Sequence, residues 1–216
     1  KGNAYISTLS NGFFKFDGKT FTFFDTDVGL SGKDVAALKV LSNGSVLLGT
    51  RGSGMNIYNP YSFSHFTEKQ GLNNALVWNI LQDKTGIFWL GTEMDGIFVF
   101  DGHNYKNYNQ EHGLMSEIVL TSLMGKNNDL WFGFWSGGIA KISDGNITKY
   151  MRSDGLADLN IASIFEDKAG NLWIGSWGGG VFLFDGKTMC SIDESVGLSN
   201  GNILAIQQAN DGDIWF

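Results

Sequence analysis

The stretch LWIGSWGGGVFLFDG, residues 172–186, sets five glycines and two tryptophans among fifteen positions. Three readings compete for it: a glycine-rich loop cradling a phosphate, an aromatic sugar-binding patch, or a structural repeat. The rest of the chain favours the last. LWFGFWSGGIAKISDG at 130–145 and FWLGTEMDGIFVFDG at 88–102 repeat the stretch, VLLGTRGSGMNIYNP at 46–60 is a fourth copy, and YISTLSNGFFKFDG at 5–18 is a worn fifth. A phosphate loop needs a helix after its glycines, with the first amides aimed at the anion. Here VFLF follows, which reads as a strand.

The copies keep one step. Gly12, Gly54, Gly96, Gly138 and Gly180 are 42 residues apart, as are Gly29-Leu30, Gly71-Leu72, Gly113-Leu114, Gly155-Leu156 and Gly197-Leu198. A third column runs Tyr5, Leu47, Trp89, Trp131, Trp173, Trp215, and a fourth Gly44, Gly86, Asn128, Gly170, Gly212. Unrelated landmarks holding one period without a net insertion define repeats at about 5–46, 47–88, 89–130, 131–172 and 173–214, plus the start of a sixth.

Within the third repeat, LVWNILQD, IFWLGT, IFVF and YKNYNQ read as four short strands joined by turns at KTG, EMDG and DGHN. The glycine columns fall where tight hairpins need positive φ, a conformation asparagine also tolerates, so Asn128 is an expected exception. A four-stranded antiparallel unit cannot bury both faces alone, and the period matches propeller blades rather than helical repeats. The expected fold is all-β: a β-propeller of four-stranded antiparallel blades, residues 1–216 forming a single propeller domain or a fragment of one. ILAIQQ, residues 203–208, could close a five-bladed ring by supplying the first blade's missing strand, but DIWF would then duplicate AYIST. That redundancy, a first residue that is Lys1 and an end inside an apolar run favour a portion of a larger, seven-bladed ring and of a longer protein.

Composition narrows the function. Of 216 residues, 43% are hydrophobic, and 15 basic against 22 acidic residues give a net charge of −7. The basic residues are scattered, which disfavours nucleic acid. No apolar run is long enough for a membrane span, so no membrane contact by this segment is expected. Cys190 is the one cysteine, expected as a partly buried thiol; its column holds Thr22, Ser64, Lys106 and Thr148.

The combination of a W-x-G-[TS] strand, a DG turn, a GL pair and a D-K-x-G turn resembles the two-component regulator propeller repeat. It is carried best by GLADLNIASIFEDKAGNLWIGSWGGGVFLFDG, residues 155–186, and GLNNALVWNILQDKTGIFWLGTEMDGIFVFDG, residues 71–102. Ser7 in place of the strand glycine, Leu47 in place of tryptophan and Asn59-Pro60 in place of DG depart from it. The resemblance implies a periplasmic or extracytoplasmic sensor region of a hybrid histidine kinase, dimeric in the full receptor, with oligosaccharides as one class of ligand.

A site is sought where the repeats differ while the scaffold stays constant. The residue after the [TS] position reads Leu9, Arg51, Glu93, Trp135, Trp177. Charges and indoles at a hairpin tip suit a small-molecule ligand such as a sugar, with apolar C–H faces and polar edges. The plainer alternative is packing over a neighbouring loop. His65, His103 and His112 occupy unrelated repeat positions, so no metal site is expected. Asp25, Asp27, Glu68, Glu111, Asp154 and Asp193, in or near the connections between blades, could pair as catalytic carboxylates or be ordinary loop acids. An unvarying step leaves no room for the insertions that usually carry a propeller enzyme's chemistry, and no cofactor motif occurs. A non-catalytic ligand sensor is favoured over a lyase- or glycosidase-like enzyme or a protein-interaction scaffold.

Overall fold

In the computed structural model the described residues are 2–60, 62–67, 71–72, 76–102 and 104–216. They form two compact units, residues 1–82 with 87–107, and residues 108–216 with the turn 83–86. The fold is a β-propeller built from antiparallel blades.

The first unit holds a three-stranded sheet of β1 (Ala4–Ser7), β2 (Phe13–Phe16) and β3 (Phe21–Phe24). Two four-stranded sheets follow: β4 (Val35–Val40), β5 (Val46–Thr50), β6 (Met55–Asn59) and β7 (Ser62–Phe66), then β8 (Val77–Gln82), β9 (Phe88–Thr92), β10 (Ile97–Phe100) and β11 (Tyr105–Tyr108). The second unit repeats the plan with β12 (Val119–Met124), β13 (Leu130–Phe134), β14 (Ile139–Ser143) and β15 (Asn146–Tyr150). Next come β16 (Ile161–Glu166), β17 (Leu172–Ser176), β18 (Val181–Phe184) and β19 (Met189–Ile192), and a two-stranded sheet of β20 (Gln207–Gln208) and β21 (Ile214–Trp215).

The sheets are offset from the 42-residue sequence frame by one strand, since each frame opens on a second strand and ends on the first strand of the next sheet. ILAIQQ, the candidate closing strand, pairs through Gln207 and Gln208 with β21, while β1 pairs with β2.

The second strand of each complete sheet is an uninterrupted apolar run because both of its faces are covered. Val46 and Leu48 enter a cluster with Phe13, Leu30, Val35 and Tyr58, whereas Leu47 between them enters another with Val77, Leu90, Phe98 and Phe100. In the second unit Leu172 and Ile174 pack with Trp131, Phe182 and Phe184, and Trp173 packs beside Val181, Ile203 and Ile206. The tryptophan column thus supplies inter-sheet filling, with Trp89 and Trp131 buried. The recurring strand glycine permits the close approach: a Cβ at Gly49, Gly133 or Gly175 would lie 2.7, 2.7 or 2.6 Å from the side chain of Val77, Ile161 or Ile203.

The connections between blades hold more structure than their loop-like sequence suggests. Short 3-10 turns cover Thr26–Val28, Gln110–His112, Arg152–Asp154 and Glu194–Val196, each closed by a left-handed glycine of the GL pair. Leu30, Leu114 and Leu156, which follow three of those glycines, are buried, as is Leu72 after Gly71, and Leu198 is half-buried. In the second unit the turn lysines act as clasps: Lys126 Nζ donates to the Asp167 carbonyl at 2.5 Å, and Lys168 Nζ to the carbonyls of Ala209 and Asn210 at 3.4 and 3.3 Å.

Asp167 is nearly buried. Burial alone would raise its pKa, but the Trp173 indole N–H at 2.9 Å, the Asn171 amide groups and the Ala169 N–H outweigh it and hold the carboxyl below its ordinary value. A depressed carboxyl stabilises the fold above its unfolded pKa of about 3.9 and loses that contribution as pH falls through the folded value. Replacing Trp173 by Phe is expected to cost about 1.5–3 kcal/mol near neutrality, with the deficit shrinking below pH ~4, as measured by urea unfolding across pH.

Gly180 sits at φ 77°, and a Cβ there would lie 2.4 Å from the Ile192 carbonyl oxygen; Gly186, at φ 95°, has open space. Gly186→Ala is expected to cost only the left-handed penalty of about 1–2 kcal/mol, and Gly180→Ala distinctly more because a backbone carbonyl must also move. Thermal or urea unfolding of the two variants checks the difference.

Candidate functional site

All column residues but Trp135 follow a hydroxyl-based hairpin lock. The hydroxyls of Thr8, Thr50, Thr92 and Ser176 donate to the carbonyls of Gly12, Gly54, Gly96 and Gly180 at 2.7–3.0 Å, and the N–H groups of the same residues bond the same carbonyls. The hydroxyls also accept, for example from the Gly179 N–H at 3.0 Å. This is the physical role of the [TS] position, and it rigidifies the tip from which the variable residue projects.

The variable residue lies in a backbone ladder that runs along one edge of successive sheets. In the first unit Leu9 bridges Asp34, the Arg51 N–H donates to the Asp34 carbonyl at 2.8 Å, Arg51 bridges Leu76, and the Glu93 N–H donates to the Leu76 carbonyl at 3.1 Å. In the second unit the Trp135 N–H donates to Ile118 at 3.0 Å, the Trp177 N–H to Asn160 at 2.9 Å, and Trp177 bridges Asn202. Column residues therefore alternate with the residues that precede each first strand.

The structure brings Trp135 and Trp177 together. Their rings stand edge to face with centroids 6.4 Å apart, and the residues are 42% and 43% exposed. Beside the Trp177 hairpin a cavity of about 410 Å³ is lined by Gly178, Gly179, Gly201, Asp193, Glu194 and Ser195. In the first unit Arg51 is exposed, with its guanidinium carbon 4.5 Å from the centroid of the Trp78 ring, and Glu93 is half-buried. Leu9 is exposed.

Sequence reasoning missed Trp78. It is the extra residue of a β-bulge that recurs at the start of each complete sheet's first strand, between Val35 and Ala37, Val77 and Asn79, Val119 and Thr121, and Ile161 and Ser163. A bulge redirects its extra side chain. The column-variation signal that singled out Arg51 applies here too: Ala36, Trp78, Leu120, Ala162, Leu204. Also missed were Asn160, whose Oδ1 accepts from the Ser136 N–H at 2.9 Å, and Asp158, which orients Asn160 through bonds of 2.8 and 3.1 Å.

The loop carboxylates have structural duties. Asp25 and Asp193 accept from the N–H groups of Asp27 and Ser195 as caps of the 3-10 turns, and Asp154 accepts from the Met151 N–H at 2.8 Å. The Ser195 hydroxyl and N–H hold the Asp193 carboxyl below its ordinary pKa. Asp27 and Glu111 lie within the turns that those caps close, the latter capped by Asn109. Glu68 and His103 fall outside the described residues. His65 and His112 bond Asn56 and Asn109 at 2.8 and 2.7 Å. Among the described residues no group of three or more His, Cys, Asp or Glu side chains could hold a metal. Cys190, expected to be partly buried, is exposed, because β19 is the edge strand of its sheet.

A second cavity, of about 140 Å³, lies over Trp131 at the turns that carry Lys126 and Gly170. Its charges are already matched: Lys141 pairs with Asp129 at 2.7 Å, and Glu166 accepts from the Lys126 N–H at 2.6 Å.

Replacing Trp135 or Trp177 by Ala removes only an exposed ring and one edge-to-face contact. Each variant is expected to lose less than about 1.5 kcal/mol in urea unfolding.

The two-component regulator propeller model matches residues 71–94 and 155–178. A search of curated proteins gives no significant match. Among solved structures, the extracellular domain of the putative hybrid two component system BT3049 from B. thetaiotaomicron superposes with a TM-score of 0.85 at 23% identity, over 100% of this chain and 30% of that one. The extracellular domain of the putative one component system BT4673 from the same organism gives 0.80 at 20% identity, over 99% and 32%. This chain therefore spans about a third of the length of those domains. A catalytically inactive virginiamycin B lyase from Staphylococcus aureus with quinupristin gives 0.79 at 19% identity, over 100% and 74%. At such identities the superpositions speak for the fold, and the family model for the repeat: residues 71–94 and 155–178 match the two-component regulator propeller repeat, set in a β-propeller.

Proposed function

We propose that this propeller is the ligand-sensing, non-catalytic part of an extracytoplasmic two-component signalling receptor, and that it binds an oligosaccharide on the hairpin edge bearing Trp135 and Trp177. The observation that carries the reading is the exposed pair of indoles on hairpins locked by backbone and side-chain bonds. Pyranose rings present C–H faces to aromatic planes, and two rings fixed before binding lose little entropy when the sugar arrives. Such rings contribute nothing to the inter-sheet core, where the repeat's other tryptophans serve.

The signalling context is supported by the repeat family and by the description of the superposable extracellular domains as parts of putative two-component systems. The lyase likeness, at 19% identity, carries the fold alone. A rigid propeller transmits binding through contacts that differ between two states of its assembly, which fits a receptor working as a homodimer.

Isothermal titration of the protein with a panel of short oligosaccharides tests the reading. Trp135→Ala and Trp177→Ala should each weaken binding about tenfold or more while melting like the parent. Unchanged affinity in both variants, or no saccharide bound at all, overturns it.

A further inference from the structure

The first unit carries its own recognition group, distinct in chemistry from the indole pair. We propose that Arg51, placed over Trp78 on a ladder that also carries Asp34 and Glu93, forms a hydroxyl-reading saccharide subsite that selects uncharged sugars over acidic ones; this rests on the sugar-binding reading above.

Arg51 is exposed, and among the described residues no carboxylate or carbonyl accepts from its guanidinium. The centre of its guanidinium lies 4.5 Å from the centroid of the Trp78 ring, a cation–π contact that restrains the group. A guanidinium fixed in this way forfeits less freedom when it binds than one on a free side chain.

Trp78 is a poor choice for packing alone. The equivalent bulge positions hold Ala36, Leu120, Ala162 and Leu204, and the buried Trp78 indole N–H has no acceptor among the described residues. A residue that brings an unmatched donor into a site where alanine and leucine suffice offers something else. What it offers is a flat platform that the bulge turns toward Arg51.

The neighbours on the ladder define the chemistry. Asp34 bonds the Arg51 N–H through its carbonyl, and Glu93 joins the ladder at Leu76, the residue that Arg51 bridges. The backbones of Asp34 and Glu93 thus stand about one and two strand spacings from that of Arg51, and neither carboxylate forms an ion pair with its guanidinium. Adjacent sugar hydroxyls can accept from the guanidinium and donate to a carboxylate at once. A uronate would gain Arg51 but meet two carboxylates, on a chain of net charge −7.

The test is a titration of the ¹⁵N-labelled protein with neutral gluco-, xylo- and galacto-oligosaccharides and with an oligogalacturonate of equal length. The indole N–H signals are assigned through single Trp→Phe variants. A neutral saccharide should shift the Trp78 signal, and the oligogalacturonate should bind more weakly. Arg51→Gln and Arg51→Lys should weaken the neutral ligand about tenfold, since lysine keeps the charge but not the fork. Trp78→Leu, the residue found at the next bulge, should weaken it several-fold with an unchanged melting temperature, and Glu93→Gln should improve oligogalacturonate relative to the neutral sugar. Shifts confined to Trp135 and Trp177, or tighter binding of the acidic sugar, overturn this subsite and leave the indole-pair reading standing. A shift of Trp78 alone does the reverse, and silence of all three signals overturns both.

Discussion

The structure depends on one constraint: the second strand of each complete blade is covered on both faces. Leu47 faces one cluster while Val46 and Leu48 face another, and Trp173 stands in the same relation to Leu172 and Ile174. A strand held on two sides cannot slip by one residue without driving its whole apolar set to the wrong side. The register of each sheet is thereby tied to that of its neighbours within the unit. Strand glycines follow from the same constraint, because Gly49, Gly133 and Gly175 lie where Val77, Ile161 and Ile203 approach closely. The insertion-free 42-residue step is the sequence-level trace of this coupling.

What the constraint leaves free is the residue beyond the lock. The hydroxyl of Thr50, Thr92 or Ser176 and the glycine four residues on fix the hairpin without using the side chain of the column residue between them. The column that begins at Leu9 can therefore change from Arg51 to Glu93 to Trp135 without cost to the core, which is how a repeat fold diversifies its binding surface. Trp135 and Trp177 meet because their blades are neighbours in one unit and their side chains leave the same ladder.

The fold was legible because its determinants are periodic. Glycine columns, the tryptophan column and the GL pair each recur at one step, and each has a local cause in positive φ, inter-sheet filling or a buried leucine. The 3-10 turns were not legible, since three residues are too few to show a period. Nor were the caps: Asp193 looks the same in sequence as a catalytic acid or a loop acid, and only its bond to the Ser195 N–H distinguishes the roles. The hairpin column was found through its variation, whereas Trp78 was overlooked because a strand residue in an apolar run reads as core. The bulge that sets it apart involves pairing between strands, which a single sequence does not display.

The hairpin of Trp135 shows that rigidity at this edge is maintained by more than one chemistry. Its lock position holds Phe134, which has no hydroxyl, so only the backbone bond to the Gly138 carbonyl remains, at 3.1 Å. Ser136 takes up the loss: it adopts φ 56°, a left-handed conformation that costs energy outside glycine, and both its N–H and its hydroxyl bond Asn160 Oδ1. Asn160 is itself held by Asp158 and accepts the Trp177 N–H through its carbonyl. One asparagine thus ties the two tryptophan hairpins together. A tip kept rigid by a strained serine where the usual threonine is missing is difficult to explain by packing, because the ring it carries is exposed. It is what a preorganised stacking surface requires, since motion between the two indoles before binding would have to be frozen out when a ligand arrives.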